Sequence, residues 1–309
     1  MGTEHKGKPY YSDLQIMMAE FLIQLEVGAR VPNYRELAAQ TNMSVGSVSA
    51  ALSSMEEQGV VTFQKRGHLG SYLESRSIGG LWGIAEQSPL VIAFTIPSNL
   101  RFEGLATAIK TMLLDNGIET YLIFIRGSST RMKALRENHC HAVVFSQLSV
   151  EGECGEEEQV VSELPRGSWL KENQIFYRSN SIEPNVPLRV GVDPDSYDHF
   201  QITQLEFNNQ QVEYVHTKFT QLPRLLVDGQ IDATVWNVED VRFTMNQGIR
   251  KRRLSKHVRD VIGDRDISAA VVVQKRNRIA AAVIKETLNI AELLSIQEQV
   301  ISGELLPEY

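Results

Sequence analysis

The chain has 309 residues, 42% hydrophobic and 22% charged, which excludes a disordered, collagenous or disulfide-framework protein and sets an expectation of about two domains. Its 31 Lys plus Arg against 38 Asp plus Glu leave a net charge of -7, so no global basic field draws in nucleic acid and such contact must be local. Cys140 and Cys154 are too few for a secreted framework, no apolar run approaches the ~20 residues that span a bilayer, and the polar opening carries no secretory signal; a cytoplasmic protein without a membrane partner is expected.

Leu14, Met17, Met18, Phe21, Leu22 and Leu25 form one helical stripe that Gly28 stops. Asn33, three residues before Glu36, predicts a capping box and a short second helix, with Thr41 and Asn42 as the turn. Ser44 caps a third helix whose Val48, Leu52 and Met55 face inward and which ends at Gly59. Val60 to Lys65, a turn over Arg66 to Gly70 and a return strand over Ser71 to Leu73 complete the order of a winged helix-turn-helix. The residues PNYRELAA (32–39), SVGSVSAAL (44–52) and MEEQGVV (55–61) resemble the GntR-type winged helix, which implies DNA binding.

Two positions where that pattern carries arginine hold Val45 and Ser49. The candidate DNA contacts are Arg35 on the second helix, Ser44, Ser47 and Ser49 on the third, and Lys65, Arg66 and His68 on the wing. They suit phosphates and pyrimidine methyls and lack a bidentate guanine reader. Residues 1–75 carry six Lys and Arg against eight Asp and Glu, so an alternative is a degenerate winged helix that serves protein interaction or ligand response without DNA. The expected boundaries are 1–75 for the winged helix-turn-helix, 76–88 for a glycine-rich linker around Trp82, and 89–309 for a two-lobed effector-binding domain.

From Leu90 the pattern alternates. Strands are expected at 90–96, 119–125 and 142–145, with helices at 102–114 and 131–137 between them, a βαβαβ unit with a largely parallel sheet. The order recurs at 188–192, 197–205, 212–216, 222–227 and 231–236, followed by a returning strand at 267–273 and carboxyl-terminal helices from 277. The fold class is therefore α/β. This order resembles the type II periplasmic-binding-protein fold found as effector domains in regulators, and the whole chain resembles the YhfZ family of bacterial regulators. The resemblance implies a transcriptional regulator that binds a small effector between two lobes, and a homodimer is expected because a single acidic head has too few cationic contacts and two heads multiply avidity.

In such folds ligands lie where strands end and helices begin. One lobe offers Ser98, Asn99 and Arg101, then Ser128, Ser129, Thr130 and Arg131, a donor-rich set suited to an anion. The other offers Asp195, Thr217 and Trp236, with Asn237 beside it. No catalytic motif is present, so an enzyme using the cleft is the weakest alternative. His139, Cys140, His141 and Cys154 lack zinc spacing, and neither a cofactor nor a metal is expected. Glu151 to Glu158 reads as an acidic loop and Arg250 to Arg259 as a basic surface.

Overall fold

Side-chain caps place the first three helices of the computed structural model, which describes residues 12–86, 88–179, 186–239 and 248–309; the reading of the amino terminus lies outside the described residues. α1 (Asp13–Gln24) starts at Ser12, whose hydroxyl accepts the Gln15 N–H. α2 (Tyr34–Thr41) starts with the Asn33/Glu36 capping box, and α3 (Val45–Glu57) at Ser44, whose Oγ accepts the Ser47 N–H at 3.0 Å. Left-handed Asn42 (φ 54°) makes the turn between α2 and α3. β1 (Arg30–Val31), β2 (Val61–Lys65) and β3 (Ser71–Arg76) form an antiparallel sheet in the order β1-β3-β2.

The segment expected to be a linker is instead α4 (Ile78–Ala85), capped by Ser77 and packed against α1. Its glycines lower helix propensity, which is why composition pointed to a linker. Ile78, Leu81 and Trp82 nevertheless share one helical face and are buried, and packing of that face outweighs propensity. Two compact units result: residues up to Pro89 together with Leu113–Glu119, and Leu90–Met112 together with Thr120–Tyr309.

The second unit contains β4 (Leu90–Phe94), α5 (Leu100–Asp115), β5 (Thr120–Phe124), α6 (Ser128–Arg136), β6 (Ala142–Ser146), α7 (Gln147–Glu153) and β7 (Glu158–Arg166). The chain then crosses to β8 (Asn173–Arg178), β9 (Leu188–Val192), α8 (Tyr197–Phe207), β10 (Val212–His216), α9 (Leu222–Val227), β11 (Ala233–Asn237), β12 (Ile249–Arg253) and α10 (Lys256–Ile262). It returns through β13 (Ser268–Gln274) to α11 (Arg278–Thr287) and α12 (Ile290–Ser302). The carboxyl-terminal helices expected from 277 are α11 and α12, divided at Leu288, with Asn289 capping α12.

The two sheets have matching orders, β5-β4-β6-β13-β7 and β10-β9-β11-β8-β12. Each holds three parallel strands, and β13 and β8, the first strands after the two crossings, enter antiparallel beside β6 and β11. The expectation of largely parallel sheets is corrected on that point, because each crossing delivers a strand of opposite direction. β6, β11 and β13 are buried along their whole length, as both-face coverage requires.

The expected acidic loop is α7 and the start of β7, where buried Glu158 pairs with Arg136 at 2.8 Å. The basic stretch is β12 and α10, and β12 is an edge strand whose Arg and Lys side chains discourage further pairing.

Candidate functional site

In the first unit the amino-terminal ends of α2 and α3 and the base of the wing enclose an open groove of about 500 Å³, lined by Arg30, Asn33, Tyr34, Arg35, Val45 and Phe63 among others. Arg35, Ser44, Ser47, Lys65, Arg66 and His68 are exposed, and Ser49 is half-buried. The Ser44 and Ser47 hydroxyls lie 2.8 Å apart and are engaged in capping. Arg66 lies over the Tyr72 ring at 4.2 Å and donates to Gln64 Oε1 at 2.6 Å, which orients its guanidinium on the wing. Arg30 was missed by sequence reasoning, since the two-residue strand that carries it has no periodic signal; it is exposed and paired in register with Tyr72.

In the second unit a cavity of about 100 Å³ lies at the carboxyl ends of the parallel strands of both sheets. The first lobe contributes Ser98, Phe102, Arg126, Gly127 and Arg131, and the crossing segment contributes Trp169 and Asn173. The second lobe contributes Asp198, His199, Phe219 and Asn237. Of the expected ligand contacts, Ser98 and Arg131 line this cavity.

The remaining expected contacts serve other roles. Asn99 Oδ1 accepts the Phe102 N–H at the start of α5. Arg101 donates to both oxygens of Glu239 at 2.9 to 3.1 Å and to the Gly167 carbonyl, clamping one lobe to the other. Ser128 Oγ donates to Glu153 and accepts the Tyr197 N–H, while Ser129 donates from N–H and hydroxyl to the Asp195 carbonyl. Thr130 is exposed, Thr217 donates to Gln221, and Trp236 is buried behind Phe219, stacked on it at 4.1 Å. Asp195 accepts from Arg126 at 2.7 Å, and Asp193 accepts from it at 2.5 Å. Ser129 is thus satisfied by the opposite lobe and the Ser128 hydroxyl donates within its own lobe, which leaves Arg131 as the member of the expected anion cradle that faces the cavity.

Electrostatics separates Arg126, just before α6, from Arg131 in its first turn. Burial alone would lower the Arg126 pKa, but its hydrogen bonds to Asp195 and Asp193 win and raise it. Arg131 is almost fully buried and makes no ion pair among the described residues; burial lowers its pKa to about 10, with Asp198 and Glu153 opposing at a distance. Its Nη1 donates to the Ile125 carbonyl at 3.0 Å, its guanidinium lies 5.1 Å from the Phe145 ring, and its Nε has no partner among the described residues. Asn237 is also buried; its Oδ1 accepts the Glu239 N–H, and its Nδ2 has no partner among the described residues.

His199 accepts the Asp193 N–H at Nδ1 and donates from Nε2 to the Val235 carbonyl, an assignment that makes it neutral. Burial lowers its pKa in the same direction, so it braces the site without carrying charge. Asp198 accepts from Ser146 Oγ and from the His199 N–H, both at 2.8 Å. Sequence reasoning missed Asp198, which carries no motif, and Trp169 and Asn173, which fall in a crossing with no periodic pattern; Phe219 lies in the loop that carries the expected contact Thr217. Among the described residues no group of three His, Cys, Asp or Glu side chains is arranged to hold a metal ion, and no helix is long and apolar enough to cross a membrane.

A helix-turn-helix unit followed by a two-lobed, binding-protein-like α/β unit defines the class: helix-turn-helix proteins that carry a ligand-type domain. A family model described as the YhfZ C-terminal domain matches residues 77–309, and a helix-turn-helix domain model matches residues 26–73; the chain belongs to the YhfZ family. It is 27% identical over 293 residues to the protein YhfZ of Escherichia coli strain K12, covering 94% of this chain and 95% of that one. The crystal structure of YhfZ from Shigella flexneri matches with a TM-score of 0.60 at 26% identity, covering 72% of this chain and 93% of that chain. The alkanesulfonate-binding protein SsuA from Xanthomonas axonopodis pv. citri, bound to MOPS, matches with a TM-score of 0.51 at 12% identity over 70% of this chain and 75% of its own, a likeness of fold alone.

Proposed function

We infer that the chain is a cytoplasmic transcriptional regulator that binds DNA through its helix-turn-helix unit as a homodimer and responds to a small anionic metabolite held between the lobes of its second unit. It performs no catalytic step in this reading. The observation that carries it is the pairing, in one chain, of a helix-turn-helix unit with exposed cations and a cavity holding a buried guanidinium that has no carboxylate partner among the described residues.

DNA contact comes from Arg35, Lys65, Arg66 and His68 at phosphates, with Ser44, Ser47 and Ser49 presented at the start of α3. Ligand contact comes from Ser98 and Arg131 inside the cavity. The loops bearing Asn99, Arg101, Ser128, Ser129, Thr130, Asp195, Thr217 and Trp236 act as supports and latches around it. A ligand that binds one state of the lobes more tightly than another shifts their balance, and DNA affinity shifts with it by linkage.

The test is an electrophoretic shift of DNA fragments from around the protein's own gene at low salt. Retarded complexes that dissolve on adding salt support the reading. Absence of any complex at low salt favours the alternative of a winged helix that no longer contacts DNA, which the loss of arginine at Val45 and Ser49 would explain.

A further inference from the structure

Two residues that line the same cavity each hold a buried donor with no acceptor among the described residues. Arg131 Nε comes from α6 of the first lobe and Asn237 Nδ2 from the end of β11 of the second; both residues are more than nine-tenths buried, and both line the cavity. A buried donor without an acceptor is rare in native proteins. A buried guanidinium with no carboxylate in direct contact is rarer still. Two such groups on opposite lobes therefore mark the place of an acceptor-bearing, negatively charged ligand group that reaches both lobes.

The rest of the lining narrows the chemistry. Asp198 also faces the cavity, and Glu153 lies behind Ser128, so a second negative charge on the ligand meets repulsion. Arg126 offers no compensation, because Asp193 and Asp195 already neutralise it. Phe102, Trp169 and Phe219 form aromatic walls; the Phe102 and Trp169 rings are 4.7 Å apart, and Phe219 is backed by Trp236. Such walls suit an apolar or planar body.

Resting on the effector reading above, we propose that the cleft binds a small ligand with one carboxylate, no second anionic group and an apolar or planar body, its carboxylate bridging Arg131 Nε and Asn237 Nδ2. Phosphate esters and dicarboxylates are excluded by Asp198. The two donors become satisfied only when the ligand is present with both lobes in place, so the carboxylate itself ties closure to occupancy.

The experiment is thermal unfolding of the full chain titrated with isovalerate, benzoate, leucine, succinate and inorganic phosphate. At least one of the first three raises the melting temperature progressively with concentration, and succinate and phosphate do not. Asn237→Asp keeps the oxygen that accepts the Glu239 N–H and replaces the free donor with an acceptor, so it weakens binding by about tenfold or more. Asp198→Asn admits succinate. A shift by succinate or phosphate in the unaltered protein, no shift by any of the three monocarboxylates, or a shift that Asn237→Asp leaves unchanged overturns the proposal. A dianion whose shift Arg131→Gln abolishes would overturn this ligand class and leave the effector cleft standing, while failure of the regulator reading is seen separately in the DNA assay.

Discussion

Arg126, in the loop before α6, and Arg131, in the first turn of α6, meet opposite fates, because one finds Asp193 and Asp195 across the cleft and the other, among the described residues, finds a carbonyl and an aromatic ring. Asp266 is a third case of charge set by surroundings. Burial pushes its carboxyl up to about 6, the Asn173 hydrogen bond pulls the other way, and Asp198 and Asp264 add to the rise. A raised pKa means the folded chain holds this proton more tightly than the unfolded chain. The group's contribution to stability is therefore full below the ordinary value of 3.8 and is lost as pH rises to about 6. Asp266→Asn should thus exceed the wild type in urea-unfolding free energy at pH 7.5, by up to about 3 kcal/mol, with the gap closing toward pH 4. A gap that stays constant across that range contradicts the assignment. Gly127 makes a second residue-scale prediction: its φ of 79° is one that L-residues rarely adopt, and a Cβ would stand 2.7 Å from the Asp195 carbonyl oxygen. Gly127→Ala should cost about 1–3 kcal/mol in the same measurement; an unchanged midpoint would show that the loop and Asp195 do not meet in solution.

At the scale of elements, what the sequence made legible was local. Ser12, Asn33 and Ser44 announce α1, α2 and α3 because a cap is a contact between near neighbours. The strands β9 and β10 and the helix α9 match their expected bounds because their apolar runs have clear ends. The strands β7, β8 and β12 were not legible, since their mixed polar composition suits edge or crossing positions that only the tertiary arrangement defines. The candidate site followed the same rule. Ser128 and Ser129 look like an anion cradle until Asp195 and Tyr197, distant in sequence, take their hydrogen bonds. Asn237 and Asp198 acquire meaning only from what lies opposite them. For the wing and α2, exposed Arg35 and Arg66 predict phosphate contact. Arg35→Ala or Arg66→Ala should weaken binding to unrelated duplexes about equally and lower the salt slope by roughly one, read by fluorescence anisotropy. A loss confined to one sequence at either position would contradict phosphate contact.

For the whole molecule, the net charge of -7 and the short roll of exposed cations on the helix-turn-helix unit bear on assembly. One head with so few phosphate contacts binds weakly, and two heads on one DNA multiply avidity. Sedimentation at micromolar concentration should therefore show a dimer, and a monomer that still binds DNA tightly would refute this. The central claim is that the cleft governs DNA binding, and the Arg101–Glu239 clamp, bidentate and between lobes, is the handle by which to test it. The decisive measurement is the affinity of the full chain for DNA from around its own gene at low salt, compared among the wild type, Arg101→Ala and Glu239→Ala. The wild type should bind, and both substitutions should shift the affinity in the same direction by about fivefold or more. No binding by the wild type, or the same affinity in all three proteins, would contradict it.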